Sequence, residues 1–181
     1  IVGRTNFLVL ESVDGTLLHS MITRKNKLSI REALLYGAKL AEIVGAIHDV
    51  GVAWRDCKPL NVIVDGSHRL RPLDFEGACL SDEAPLQPWG TYGYTPPEWL
   101  QDTGSRRVEA EDLYALGATL HHIFSGRPPE ADAQLRPIGT LRRGIPPEVR
   151  GIVSSLTAAI PHSRPAATVV AAALYSAINN F

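Results

Sequence analysis

The residues best suited to chemistry stand close together in the first half of the chain, in Trp54-Arg55-Asp56-Cys57-Lys58-Pro59-Leu60-Asn61 and, after a short apolar run, in Asp74-Phe75-Glu76. The pattern is an acid, a lysine two positions on, an amide three beyond that, and a second acid past a hairpin. These residue types suit phosphoryl transfer, which asks a protein for positioning and charge neutralisation more than for covalent chemistry. Asp56 would orient an attacking hydroxyl and Lys58 would neutralise a phosphate. Asn61 and Asp74 would offer hard oxygen donors to Mg²⁺. Any one acid alone reads as a surface charge; the spacing carries the signal.

The elements that must position these residues are legible on either side. Val62-Ile63-Val64 and Arg69-Leu70-Arg71 flank Asp65-Gly66, a turn dipeptide between two apolar runs, and predict a hairpin. Pro72 removes a ladder donor from the second strand, which therefore lies at an edge or carries a bulge. Upstream, residues 16–24 suit a short helix. Ser29 with Glu32 three residues later forms a capping box for a longer one. Its apolar stripe runs through Ile30, Ala33, Leu34, Gly37, Ala38, Ala41, Val44, Gly45 and Ile47, and Gly51 ends it. His48, near that end, reads as a capping or packing histidine. Downstream an apolar helix opens at Glu109 and closes at Ser125-Gly126-Arg127-Pro128-Pro129; two further helices are expected over 149–160 and 168–180. His121 and His122 are adjacent and so face different ways, which does not suit a zinc pair.

Composition narrows the classes. The 181 residues fit one domain with its own core, and 18 basic against 19 acidic residues create no field that favours nucleic acid or an anionic membrane. The longest uncharged stretch, 166–181, is too short for a span and contains Ser176, Asn179 and Asn180, so it is expected as a buried terminal helix. Cys57 and Cys79 lie in no metal-ligand spacing and fit the reduced thiols of a cytoplasmic protein.

Taken together, Arg55-Asp56-x-Lys58-Pro59-x-Asn61 and Asp74-Phe75 resemble the catalytic loop and metal-binding motif of protein kinases. Gly90-Thr91-Tyr92-Gly93-Tyr94-Thr95-Pro96-Pro97-Glu98-Trp99 is similar to the Gly-Thr-x-x-Tyr-x-Ala-Pro-Glu run that ends a kinase activation segment, with Pro96 in place of alanine. The resemblance implies a mainly α (α+β) fold, the large lobe of a kinase, with residues 1–15 as the last small-lobe strand and hinge and 16–181 as the large lobe. Leu10 would then be the gatekeeper, and Glu11, Val13 and Ile63 would help bind ATP. Thr91 and Gly93 would belong to the substrate platform. Asp112 would hold the catalytic loop through its backbone, and Arg164 would pair with Glu98. The glycine-rich loop, strand lysine and helix glutamate of a kinase have no counterpart here, so the chain is expected to work with a missing small lobe and other domains of a longer polypeptide.

Lys58, two residues after Asp56, follows the serine/threonine pattern, so the implied reaction is Mg²⁺- and ATP-dependent phosphorylation of Ser or Thr in a protein or peptide. Asp-Phe-Glu-Gly-Ala at 74–78, Pro88-Trp89-Gly90 and Pro96-Pro97-Glu98-Trp99 further resemble the kinase domain of class III and IV lanthipeptide synthetases, whose substrates are precursor peptides. Two departures stand out. Trp54 replaces the family's histidine and is read as a larger packing residue, whereas Glu76 replaces the glycine after Asp74-Phe75 and adds a carboxylate beside the metal position. Ser81 is the main hydroxyl of the segment before Thr91, and Asp82 and Glu83 are read as a fixed negative charge for Arg55, which implies constitutive activity. A pseudokinase or docking scaffold that binds a peptide without transfer is the competing expectation.

Overall fold

The computed structural model describes residues 11–83, 89–100, 108–130 and 135–180. Leu10 and the strand expected before it lie outside the described residues, and residues 11–14 form no regular element.

The first regular elements among the described residues are β1 (Thr16–Leu17) and α1 (Leu18–Arg24). Next comes α2 (Ile30–Asp49), opened by the predicted capping box: Glu32 N donates to Ser29 Oγ at 3.1 Å and Ser29 N donates to Glu32 Oε2 at 2.8 Å. Each bond satisfies a helix-end donor that would otherwise have no partner. After β2 (Val52–Ala53), a single 3₁₀ turn at Pro59–Asn61 leads into the hairpin of β3 (Val62–Val64) and β4 (Leu70–Pro72). Three strands form one antiparallel sheet in the order β1-β3-β4, so Pro72 sits on an edge strand, where a missing N–H costs no ladder bond. Strand β5 (Cys79–Leu80) pairs with β2 in a separate two-stranded ribbon.

The rest is helical: α3 (Val108–Ser125), α4 (Ile138–Leu141), α5 (Pro147–Leu156) and α6 (Ala167–Asn179). All of α3 except Glu109 and Tyr114 is buried. A helix buried on nearly every side is a core helix, and here α2, α5 and the catalytic loop pack around it. The second layer of the core is the contact of α2 with α6, carried by Leu34, Ala38, Ala41, Val170, Leu174 and Ala177. The architecture is mainly α with a little antiparallel sheet, as the motifs implied. The four-residue α4 was not foreseen, because it is too short to show a period.

Candidate active site

The loop between β2 and the 3₁₀ turn is fixed from below by α3. Asp112 is fully buried, and its two carboxylate oxygens accept from Arg55 N at 2.6 Å and Trp54 N at 2.7 Å. Oδ2 also meets His48 Nε2 at 3.0 Å. Two turns further along the helix, Thr119 Oγ1 donates to the carbonyl of Cys57 at 2.8 Å. These bonds hold Arg55 at φ +68, a left-handed conformation that a non-glycine residue adopts only where its surroundings dictate it.

On this base Asp56, Lys58, Asn61 and Thr91 form one hydrogen-bonded cluster. Lys58 Nζ lies 2.5 Å from Asp56 Oδ2 and 2.6 Å from Thr91 Oγ1. The Thr91 hydroxyl in turn donates to Asp56 Oδ1 at 2.8 Å. Asn61 Nδ2 donates to Asp56 Oδ2 at 2.8 Å and to its backbone carbonyl at 3.0 Å. A carboxylate has about four lone-pair sites, and these partners use three of them. Among the described residues none takes the remaining one, on Oδ1, the oxygen that faces Thr91. Cys57, beside Asp56, is fully buried, and that burial keeps its thiol protonated and inert.

Asp74, Phe75 and Glu76 are exposed, and Asp74 sits at φ +59. The Asp74 side chain faces outward while its carbonyl accepts from the Trp54 indole at 3.1 Å. Asn61 spends its N–H₂ group on Asp56, so its amide oxygen is the atom it could offer to a metal. One amide oxygen and one carboxylate are hard donors that fit Mg²⁺, an ion that commonly takes one or two protein oxygens and completes its shell with phosphates and water. The residues present therefore fit the ion that the spacing suggested.

The platform run is tied to α3 and to the end of the chain. Arg164 forks onto Glu98, with Nη1 to Oε1 at 2.5 Å and Nη2 to Oε2 at 2.9 Å, and also donates to the carbonyls of Ala110 and Ala158. Its guanidinium carbon stands 5.1 Å from the Tyr114 ring centroid. Tyr94 OH meets His122 Nδ1 at 2.7 Å, and burial lowers the His122 pKa from 6.5 to about 4. Gly93 adopts φ +85, where a Cβ would meet Pro129 at 3.0 Å.

The positions expected to bind ATP are less concentrated. Glu11 is exposed and its carboxylate pairs with Arg71 at 2.7 Å. Val13 and Ile63 are half-buried, Ile63 lying on β3 directly under Gly15. A shallow polar groove of about 210 Å³ between residues 11–14 and the β3-β4 turn is lined by Glu11, Val13, Asp65 and Arg71 among others, but not by Ile63 or the Asp56 cluster.

Three features escaped the sequence. His48 is a partner of Asp112; its place four residues after Val44, on the buried stripe, was the available signal. Trp54 is more than a packing residue, since its N–H bonds two carbonyls of the Asp74 segment. Among the described residues a carboxylate beside Arg55 is that of Glu111, at 3.9 Å, while Asp82 and Glu83 are exposed. Arg55 also donates to the Gly77 carbonyl at 3.2 Å.

Comparison with known proteins agrees with this geometry. The profile of the protein kinase domain matches residues 3–175. The chain is 34% identical over 140 residues to 3-phosphoinositide-dependent protein kinase 1 of Arabidopsis thaliana, covering 70% of this chain and 28% of that protein. It is 32% identical over 164 residues to serine/threonine-protein kinase PknA of Mycobacterium tuberculosis, covering 83% of this chain and 38% of the relative. It is also 32% identical over 136 residues to serine/threonine-protein kinase PkaA of Streptomyces coelicolor, covering 71% and 25%. The chain thus spans well under half the length of these curated relatives. The loop anchored on α3, the cluster around Asp56 and a profile match over nearly the whole sequence lead to one assignment: the chain belongs to the protein kinase domain family.

Proposed function

We propose that this chain carries the acceptor-orienting and metal-holding part of a serine/threonine protein kinase, which transfers phosphate from ATP to Ser or Thr of a protein or peptide. The observation that carries the reading is the Asp56 cluster with its one uncommitted lone pair on Oδ1. An acceptor hydroxyl that donates to that oxygen would be oriented for attack and would leave its proton on Asp56. Lys58, held between Asp56 and Thr91, would place its charge beside the transferred phosphoryl group. Asn61 and Asp74 would hold Mg²⁺, which supplies charge neutralisation on the phosphates when bound. Glu11, Val13 and Ile63 would contribute the nucleotide side, with Leu10 and a small lobe elsewhere in the parent polypeptide completing it.

The proposal includes a precursor peptide of the lanthipeptide type as substrate, in a reducing cytoplasm that keeps Cys57 and Cys79 as thiols. It also includes activity without phosphorylation of the segment after Asp74. The Ser81 hydroxyl is buried, and the Arg55 guanidinium is directed at the Gly77 carbonyl and the flank of Glu111.

The test is phosphate transfer by the full-length protein with ATP, Mg²⁺ and Ser/Thr peptides, followed by mass spectrometry. Asp56→Asn should lower turnover by roughly 10²–10⁴-fold while circular dichroism shows a folded protein, and Asp74→Asn should abolish the Mg²⁺ response. A dehydrated product would identify the lanthipeptide branch. Undiminished turnover in Asp56→Asn, or peptide binding with no transfer, would replace this reading with that of a scaffold. Ser81→Ala should leave the rate unchanged; a dependence on phosphate at Ser81 would overturn the claim of constitutive activity.

A further inference from the structure

We propose that the groove between α1 and the β3-β4 turn docks a segment of the peptide substrate in which carboxylates flank an apolar side chain, away from the Asp56 cluster.

The groove has a volume of about 390 Å³. One wall is Met21, Arg24 and Lys25, at the end of α1, and the other is Val64, Asp65 and His68, from the hairpin. Asp56, Lys58, Asn61 and Thr91 do not border it. Met21 and Val64 give it apolar surface, and a thioether adapts its shape to what it meets.

Its charges sort into answered and unanswered. The Asp65 carboxylate is committed within its own turn: Oδ1 accepts from Ser67 N at 2.8 Å and Arg69 N at 3.0 Å, and Oδ2 accepts from Arg69 Nε at 2.8 Å. Lys25 Nζ lies 2.5 Å from Glu32 Oε1. Arg24 is exposed, and no carboxylate among the described residues pairs with it. His68 is the second open group. Tyr36 OH meets its Nδ1 at 2.9 Å and Lys39 Nζ donates to its carbonyl at 2.6 Å, which holds the residue at φ +58. Nε2 has no partner among the described residues, and it carries the ring proton when Tyr36 donates to Nδ1. The imidazole is thus in place before any ligand arrives, and a preformed contact loses less entropy on binding.

These features select one chemistry. A bare anion would leave Met21 and Val64 uncovered, an apolar segment would leave Arg24 unanswered, and a basic one would meet its like charge. An apolar side chain between carboxylates satisfies both kinds of surface. That the segment belongs to the substrate rests on the transfer reading above. Docked there, it would raise the local concentration of the acceptor hydroxyl, lowering KM with kcat unchanged.

The test uses a labelled peptide, fluorescein-Asp-Leu-Glu-Leu-Asp-amide, and fluorescence anisotropy with the full-length protein, without nucleotide or metal. Binding should saturate and weaken as salt is raised. Arg24→Glu, a surface change, should weaken it about 5–10-fold and His68→Ala about 2–5-fold. Serine in place of both leucines of the peptide should weaken it as well. A peptide with Lys in place of its acids should bind Arg24→Glu more tightly than wild type. In transfer, joining Asp-Leu-Glu-Leu-Asp through a Gly/Ser linker to a Ser/Thr acceptor should lower KM about 10-fold in wild type and much less in Arg24→Glu, while the acceptor alone is handled equally by both. No saturable binding, an affinity unchanged in Arg24→Glu, or equal affinity for the acidic and basic peptides would overturn the inference. Binding with KM unaltered when the segment is joined on either side of the acceptor would overturn the assignment to a substrate. Binding without transfer to any peptide would retain the docking site and refute the kinase reading instead.

Discussion

The catalytic loop and the Asp74 segment are neighbours in space but are held in different ways. The loop at 54–61 is bonded directly to the central buried helix, through the Asp112 carboxylate and the Thr119 hydroxyl. The platform has its own links to that helix, through Tyr94–His122 and the Arg164 bridge between Glu98 and the Ala110 carbonyl. Leu73–Gly77 instead takes its bonds from Trp54, Arg55 and Asn61, all residues of the loop itself. It is one step removed from the core, and Asp74, Phe75 and Glu76 stay exposed. The difference teaches where rigidity originates: a buried helix with satisfied polar groups fixes whatever bonds to it, and fixation weakens with each further link.

Breaking the first link should have the largest effect. Asp112→Ala leaves two buried amide donors without an acceptor and should cost about 2–6 kcal/mol in urea unfolding, at roughly 1–3 kcal/mol per orphaned group. A cost below about 1 kcal/mol would mean that α3 does not anchor the loop.

The platform link at His122 should show itself in acid. Burial lowers its pKa from 6.5 to about 4, so between these values the unfolded chain binds a proton that the folded chain does not. Stability is therefore full above pH 6.5 and falls as pH drops towards 4, by on the order of 3 kcal/mol. His121, lowered by burial as well, adds to the same slope. His122→Gln keeps a partner for Tyr94 without titrating and should flatten much of the profile of melting temperature against pH; an unchanged profile would remove His122 from the account.

Within the platform itself a smaller change is expected. Gly93→Ala must hold φ +85 with a Cβ 3.0 Å from Pro129, at a cost of about 1–2 kcal/mol. Peptide KM should rise more than ATP KM, since the glycine stands beside Thr91. Equal rises in both would place the damage in the fold and not in the platform.

Ser29→Ala supplies the reference, because the capping box lies at the opposite end of α2 from His48. Losing the cap should cost about 1 kcal/mol and leave transfer unaltered. Altered transfer would show that the helix relays its N-terminal state to the loop, which the anchoring comparison does not allow.

The sequence alone determined the local elements and the spacing of the candidate site residues. The capping box, the hairpin turn at Asp65-Gly66 and the largely apolar α3 are each encoded within a short stretch, so propensity and period suffice. The Asp56, Lys58 and Asn61 cluster was legible for the same reason, since its order and spacing are local. The tertiary structure decided what converges from distant positions. The pairing of His48 with Asp112 joins residues 64 apart, and Glu111 beside Arg55 joins residues 56 apart. The donor of Trp54 reaches carbonyls 19 and 20 residues away. No spacing rule covers such pairs, because they form only once α3 is buried and the chain has folded back over it. There a desolvated carboxylate or N–H must find a partner among whatever the fold brings near, and burial rather than sequence distance sets the choice.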